Sequence, residues 1–193
     1  MELVQENETS PIRKKRNKLL FGVRRSIRYH MRRRKFFDRL DFWTRFLTVV
    51  TGGGTVISAT SNGSHDSLVI VFGSLVAFFT ALDLVIGCSG VARDHHDLIR
   101  KFSYLERQIT KAGNGITEQE VNGFVNQRLE IEEDEPPHLR VLNILCHNEL
   151  VKASGYDKKH LVHVGRFARF VADVFDFGAD KLEKQMDKSE STA

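Results

Sequence analysis

Residues 46–92, FLTVVTGGGTVISATSNGSHDSLVIVFGSLVAFFTALDLVIGCSGVA, decide how the rest of the chain is read. Asp66 and Asp83 are the only formal charges in this stretch, although the 193-residue chain carries 29 Lys and Arg and 25 Asp and Glu. A soluble fold usually interleaves charged and apolar residues; here they are segregated. Residues 46–65 and 67–92 are each long enough to cross the hydrocarbon layer, ~30 Å thick, which takes roughly 20 largely apolar residues in a helix. Between them, residues 60–66 (TSNGSHD) form a polar run rich in helix breakers. The pattern predicts a transmembrane helical hairpin with spans at about 46–61 and 67–88.

The two spans are unequal. Residues 67–87 hold thirteen Leu, Ile, Val or Phe, each favouring insertion by roughly 0.3–0.6 kcal/mol at a helix centre, against a penalty of about 3 kcal/mol for Asp. The first span holds only six, diluted by Thr48, Thr51, Thr55, Thr60 and the triplet Gly52, Gly53, Gly54. A hairpin buried inside a soluble bundle is the alternative, since a central helix is also apolar all round. The remaining chain is too charged to wrap two such helices. No cleaved signal peptide is expected, because the apolar region begins more than forty residues in and lacks a small-residue cleavage pattern.

Outward from the hairpin, the flanks set orientation. Residues 13–45 carry fourteen Lys or Arg against Asp38 and Asp41, which keeps the amino terminus on the cytoplasmic side. Two crossings return the carboxyl end there; Arg93, Arg100 and Lys101 agree with this. The expected organisation is a disordered basic tail over 1–17, a basic juxtamembrane helix over 18–45, the hairpin over 46–92, a cytoplasmic helical region over 93–187 and a frayed tail over 188–193. Arg24, Arg25, Arg28, Arg32, Arg33, Arg34 and Lys35 are the expected contacts for anionic lipid headgroups, each worth about 1 kcal/mol near the surface. A phosphate-bound nucleic acid is the weaker reading of the same charges, and no specific nucleic acid is expected.

Within the hairpin, Gly73, Ala77 and Ala81 recur every four residues and form a small-residue stripe suited to close helix packing in lipid. Thr48, Thr51, Gly52, Thr55 and Ser58 give the first helix a small, hydroxyl-rich face. The two faces meet within one hairpin or across subunits, where the hydroxyls would line a narrow aqueous path. Asp83, the one acid inside a span, is a functional suspect by default. Counting back from a turn near Asn62 or Gly63 puts it level with Arg45, so an intramembrane Arg45–Asp83 ion pair is expected.

Past the hairpin, Leu98, Phe102, Leu105 and Ile109 share one helical face, which ends at Gly113, Asn114 and Gly115. Thr117 and Glu120 have the spacing of a capping box ahead of a Val121, Val125, Leu129 stripe. Pro136 and Pro137 stop that helix, and the acidic run Glu130 to Glu135 reads as a solvated turn facing the basic arm. Leu139, Leu142, Leu145 and Leu150 support another helix. Leu161, Val164, Ala168, Val171 and Leu182 suggest a last one over about 160–186, with spacing compatible with self-association.

The composition, 41% hydrophobic and 28% charged with 2 Cys and 3 Pro, excludes a collagen, a disulfide-stapled mini-protein and a disordered chain. HExxH, paired CxxC and phosphate-cradling glycine motifs are absent. His95 and His96 point about 100° apart on a helix and are poorly placed to share an ion. Cys146 and His147 are helix neighbours that do not face each other. The two Cys suit a reducing compartment. No catalytic residue, metal ligand or cofactor is expected.

The basic helix running through Arg32, Phe36, Phe37, Asp38 and Leu40 into a first span, the tract 81–89 (ALDLVIGCS) and the run 130–150 (EIEEDEPPHLRVLNILCHNEL) resemble the SLATT group over roughly residues 25–155. The resemblance implies a bacterial two-span membrane effector associated with nucleotide-signalling conflict systems. Such an effector oligomerises and permeabilises the inner membrane, has both termini cytoplasmic, and takes its trigger from a separate sensor or signalling partner. The alternative is a membrane-anchored scaffold whose cytoplasmic helices recruit a partner without forming a pore.

Overall fold

The computed structural model describes residues 11–60, 66–113, 115–157 and 160–173. Those residues form α-helices and no strand: α1 (Pro11–Thr60), α2 (Asp66–Ile86), α3 (Cys88–Ala112), α4 (Glu118–Glu133), α5 (Arg140–Ala153) and α6 (Arg166–Val171). The chain divides into two compact units, Arg33–His95, and Met1–Arg32 with His96–Ala193.

The basic helix and the residues expected for the first span form one continuous helix, α1, of 50 residues. Its start also falls inside the expected disordered tail. Pro11 suits a first helical position, where its missing N–H is not needed, and no later proline interrupts the run. Residues 1–10 and 174–193, and with them the expected terminal fraying and most of the last helix, lie outside the described residues.

In the unit Arg33–His95, the second half of α1 lies against α2. A Cβ built on Gly54 would meet the Phe72 ring at 3.2 Å, and one on Gly52 would meet Val76 at 3.9 Å. The seam is the threonine face of α1: Thr44 and Thr51 are buried. Thr44, Thr48, Thr51, Thr55 and Thr60 each donate a hydroxyl hydrogen bond to the carbonyl four residues earlier. These bonds leave an apolar surface where bare hydroxyls would be costly.

Among the described residues one helix, α2 with its continuation into α3, is long and apolar enough by length and composition to cross a membrane, and its most apolar stretch contains no buried residue. The C-terminal part of α1 falls short of the same measure. Its threonines, its three glycines and the adjoining Arg45 dilute Phe46, Leu47, Val49, Val50, Val56 and Ile57. Gly87, with φ of +59°, closes α2 by donating to the Asp83 carbonyl. This positive φ favours glycine because a Cβ there is strained. Beyond it, Cys88 and Ala92 pack with Phe37, flanked by Phe36, Leu40, Ile86 and Val91.

In the other unit, the stripe Leu98, Phe102, Leu105 and Ile109 of α3 is buried. Phe102, Leu105 and Ile109 pack with Leu19 and Val23 of α1, supported by Phe124, Val125 and Ile131 of α4. Thr117 and Glu120 form the capping box at the start of α4. The α4 stripe is met in part: Val121 is buried and Val125 half-buried as expected, but Leu129 is 52% exposed and Phe124 turns inward in its place.

The expected last helix begins later than its heptad-like spacing indicated. Residues 161–165 are non-helical, and α6 starts only at Arg166. Asn148 of α5 holds the segment by its amide, donating to the Val162 carbonyl at 2.7 Å and accepting the Val162 N–H at 2.8 Å. Val162 and Val164 thereby fill a cluster with Val141, Ile144, Leu145 and Ala172. A local apolar spacing was overridden by a side chain fourteen residues away.

Candidate functional site

The hairpin residues separate into an inner and an outer set. Thr51 is buried, and Gly52, Thr55 and Ser58 are half-buried, on the α1 face toward α2. Gly73 is half-buried but has no atom within 4 Å of a built Cβ, while Ala77 and Ala81 are exposed. Val69, Phe72, Val76 and Phe79 of α2 are half-buried, as Gly73 is. Ala77 and Ala81 therefore point away from α1, whereas Gly73 is partly covered.

Arg45 pairs with Asp41 one turn back, at 2.9 Å, and the expected Arg45–Asp83 pair does not form. The reason is local: an i,i+4 partner on the same helix is already within reach and needs no second helix to be placed. Beside this pair, Phe42, Trp43 and Phe46 are exposed and contact one another edge-on or stacked.

The expected lipid-contact residues are partly engaged by protein. Arg24 pairs with Glu106 at 2.7 Å and Arg32 with Glu149 at 2.8 Å. Arg34 lies 3.5 Å from Asp38, and the Arg33 guanidinium sits 4.7 Å from the Phe37 ring centroid. Arg25 and Arg28 are half-buried, and Lys35 is exposed. Pairs this exposed contribute little stability, so they compete with headgroups without excluding them.

The acidic run is not simply a solvated turn, because Glu135 is buried. Its Oε1 accepts from His30 Nε2 at 2.9 Å and its Oε2 lies 2.8 Å from His138 Nε2. Burial opposes ionisation, but the hydrogen bonds from His138 and His30, with their positive charge when protonated, outweigh it and hold the Glu135 carboxyl at about 2, against an ordinary 4.5. The His30 ring stacks on Phe102 at 5.8 Å. Tyr29 stands against His138 at 4.8 Å, and its hydroxyl accepts the N–H of Leu139, the N-cap residue of α5, at 2.9 Å. Thus α1 is joined to the α4–α5 connection by adjacent residues of one helical turn.

A cavity of about 240 Å³ opens beside this cluster, lined by Arg25, Ser26, Arg128, Glu132, His138 and Arg140 among others. Arg128 bonds Glu132 and lies over Gly22, where a built Cβ would come 2.5 Å from its Nη1. The sequence reading missed His30 and His138 altogether. The available signal was Glu135 and His138 held three residues apart by Pro136 and Pro137; nothing in the sequence points to His30, which is 105 positions from Glu135.

Burial, reinforced by Glu149, pushes the Cys146 thiol up to about 12, so at neutral pH it is not a thiolate. Cys146 packs with Tyr29 and Leu142, whereas His147 contacts Phe21 and lies 3.1 Å from the His160 carbonyl. The two neighbours occupy different environments. His95 is buried with its ring stacked on Phe37 at 6.0 Å. No protein-family model, curated protein or solved structure matches this chain.

Proposed function

We propose that this protein is a SLATT-like, membrane-embedded effector. Residues 46–92 cross the bacterial inner membrane twice, leave both termini cytoplasmic and associate with further copies to form a pore or disrupt the bilayer. The observation that carries this reading is the exposed pair Ala77 and Ala81, in line with the half-buried Gly73, on a helix whose most apolar stretch has no buried residue. In lipid, such a stripe gives packing its advantage only when another helix approaches it. The threonine face is already closed within the hairpin, so contacts between copies run through α2. Headgroup attraction falls chiefly to Lys35 and to those arginines that can exchange an exposed acidic partner for lipid phosphate. The cytoplasmic helices receive the trigger through a separate partner.

The test is membrane-potential recording after induced expression. Depolarisation is expected with the intact chain. Ala77→Leu, which is no less apolar but blocks close approach, should insert normally and depolarise much less. If an unrelated hairpin in place of residues 46–92 keeps the cellular effect, the hairpin is only a tether and the scaffold reading replaces this one.

A further inference from the structure

The His30, Glu135 and His138 cluster has a use that neither the hairpin nor the basic arm draws upon. Two imidazole nitrogens and a carboxylate converge from α1 and from the α4–α5 connection, and their ligand atoms all lie within 4.8 Å of one another. Glu135 and His30 are almost fully buried, at 2% and 0% side-chain exposure. We propose that these three residues bind one divalent cation of the zinc class, which fastens α1 to the α4–α5 connection.

Two of the three ligand separations need little adjustment, and the third, within 4.8 Å, has to close by up to about 1.5 Å. With zinc–nitrogen and zinc–oxygen bonds of about 2.0–2.2 Å at tetrahedral angles, neighbouring ligand atoms stand roughly 3.3 Å apart. The two present hydrogen bonds, at 2.9 and 2.8 Å, need only open by a few tenths of an ångström. Both imidazoles already direct Nε2 at the carboxylate. On metal binding each presents that lone pair to the cation, its proton moving to Nδ1 or leaving to solvent. Pro136 and Pro137 restrict the backbone between Glu135 and His138, so part of the ordering is present before any ion arrives.

Donor chemistry selects the ion class. Calcium and magnesium favour sets of oxygen ligands, whereas a two-imidazole, one-carboxylate set suits zinc and its neighbours. Glu132 faces the adjoining cavity but is bound to Arg128, at 2.6 Å. His138 lines the same cavity and is 37% exposed. The fourth position is therefore open to water or to a small anionic ligand, as in zinc sites with three protein ligands. This inference does not depend on the membrane reading.

The test uses the full, tag-free chain in detergent after removal of metals by a chelator. Titration with cobalt(II) should give one ion per chain and the visible bands of a tetrahedral nitrogen and oxygen site, and zinc should displace the cobalt. Zinc should also raise the unfolding temperature. His138→Gln should weaken binding by more than about tenfold while helix content is retained. Glu135→Gln should do the same; if that variant fails to fold, the half-exposed His138→Gln alone decides. Absence of the cobalt spectrum in the wild-type chain, or equal affinity in the folded His138→Gln variant, overturns the proposal and leaves the trio as a hydrogen-bonded clasp.

Discussion

Tyr29 and His30 illustrate how two adjacent side chains tie α1 to distant sequence. The Tyr29 hydroxyl accepts the Leu139 N–H, which has no cap from its own side chain. Tyr29→Phe removes that acceptor and is expected to lower stability by about 1–3 kcal/mol in denaturant titrations of the detergent-solubilised chain. At the start of α4, the Glu120 carboxyl is held below its ordinary 4.5 by hydrogen bonds from the Thr117 backbone and hydroxyl. A carboxylate with a depressed folded-state value stabilises above its unfolded value and loses that contribution as pH falls through the lowered one. Protection of the α4 N-terminal amides from hydrogen exchange should therefore fall as the solution is acidified below the ordinary carboxylate range, and Thr117→Ala, which keeps the backbone donor and loses the hydroxyl, should weaken that dependence at a loss of about 1 kcal/mol. The Thr117–Glu120 box was legible because both partners lie within one turn. His30 and Glu135 were not, since only the folded chain brings them together.

Helix faces were more legible than helix ends. The 4, 3, 4 spacing of Leu98, Phe102, Leu105 and Ile109 marks the buried face of α3, because one amphipathic stripe meets one core. The basic helix continues unbroken into the residues of the expected first span, since a change of composition along a helix does not break its hydrogen bonds; only a change of backbone chemistry does. The segment 161–165 carried helical spacing but is held as a non-helical stretch by Asn148. Asn148→Ala removes both bonds to Val162 and is expected to destabilise the chain by about 1–3 kcal/mol, with amide exchange rising first near Val162 and Val164. In the hairpin, a Cβ at Gly52 makes ordinary contact with Val76, whereas one at Gly54 crowds the Phe72 ring. Gly52→Ala is accordingly expected to be neutral or stabilising, and Gly54→Val to lower the thermal stability of the hairpin in detergent micelles.

Across the whole molecule, the charges and the apolar surface fall on different residues. Val49, Val56, Ile57, Ile70, Leu84 and Val85 are each more than 60% exposed, far beyond what a soluble monomer leaves bare in one region. Arg24 and Arg32 of the basic arm pair with acids of α3 and α5, and Arg34 with an acid of α1, so its charge does not stand wholly ready for lipid. The measurement that tests the account most directly is fractionation of cells expressing the intact chain, washing the membranes with high salt and then adding detergent. A bilayer-spanning hairpin predicts that the protein resists salt and is released only by detergent. Recovery in the salt wash as a soluble chain would show that residues 46–92 are not held by lipid.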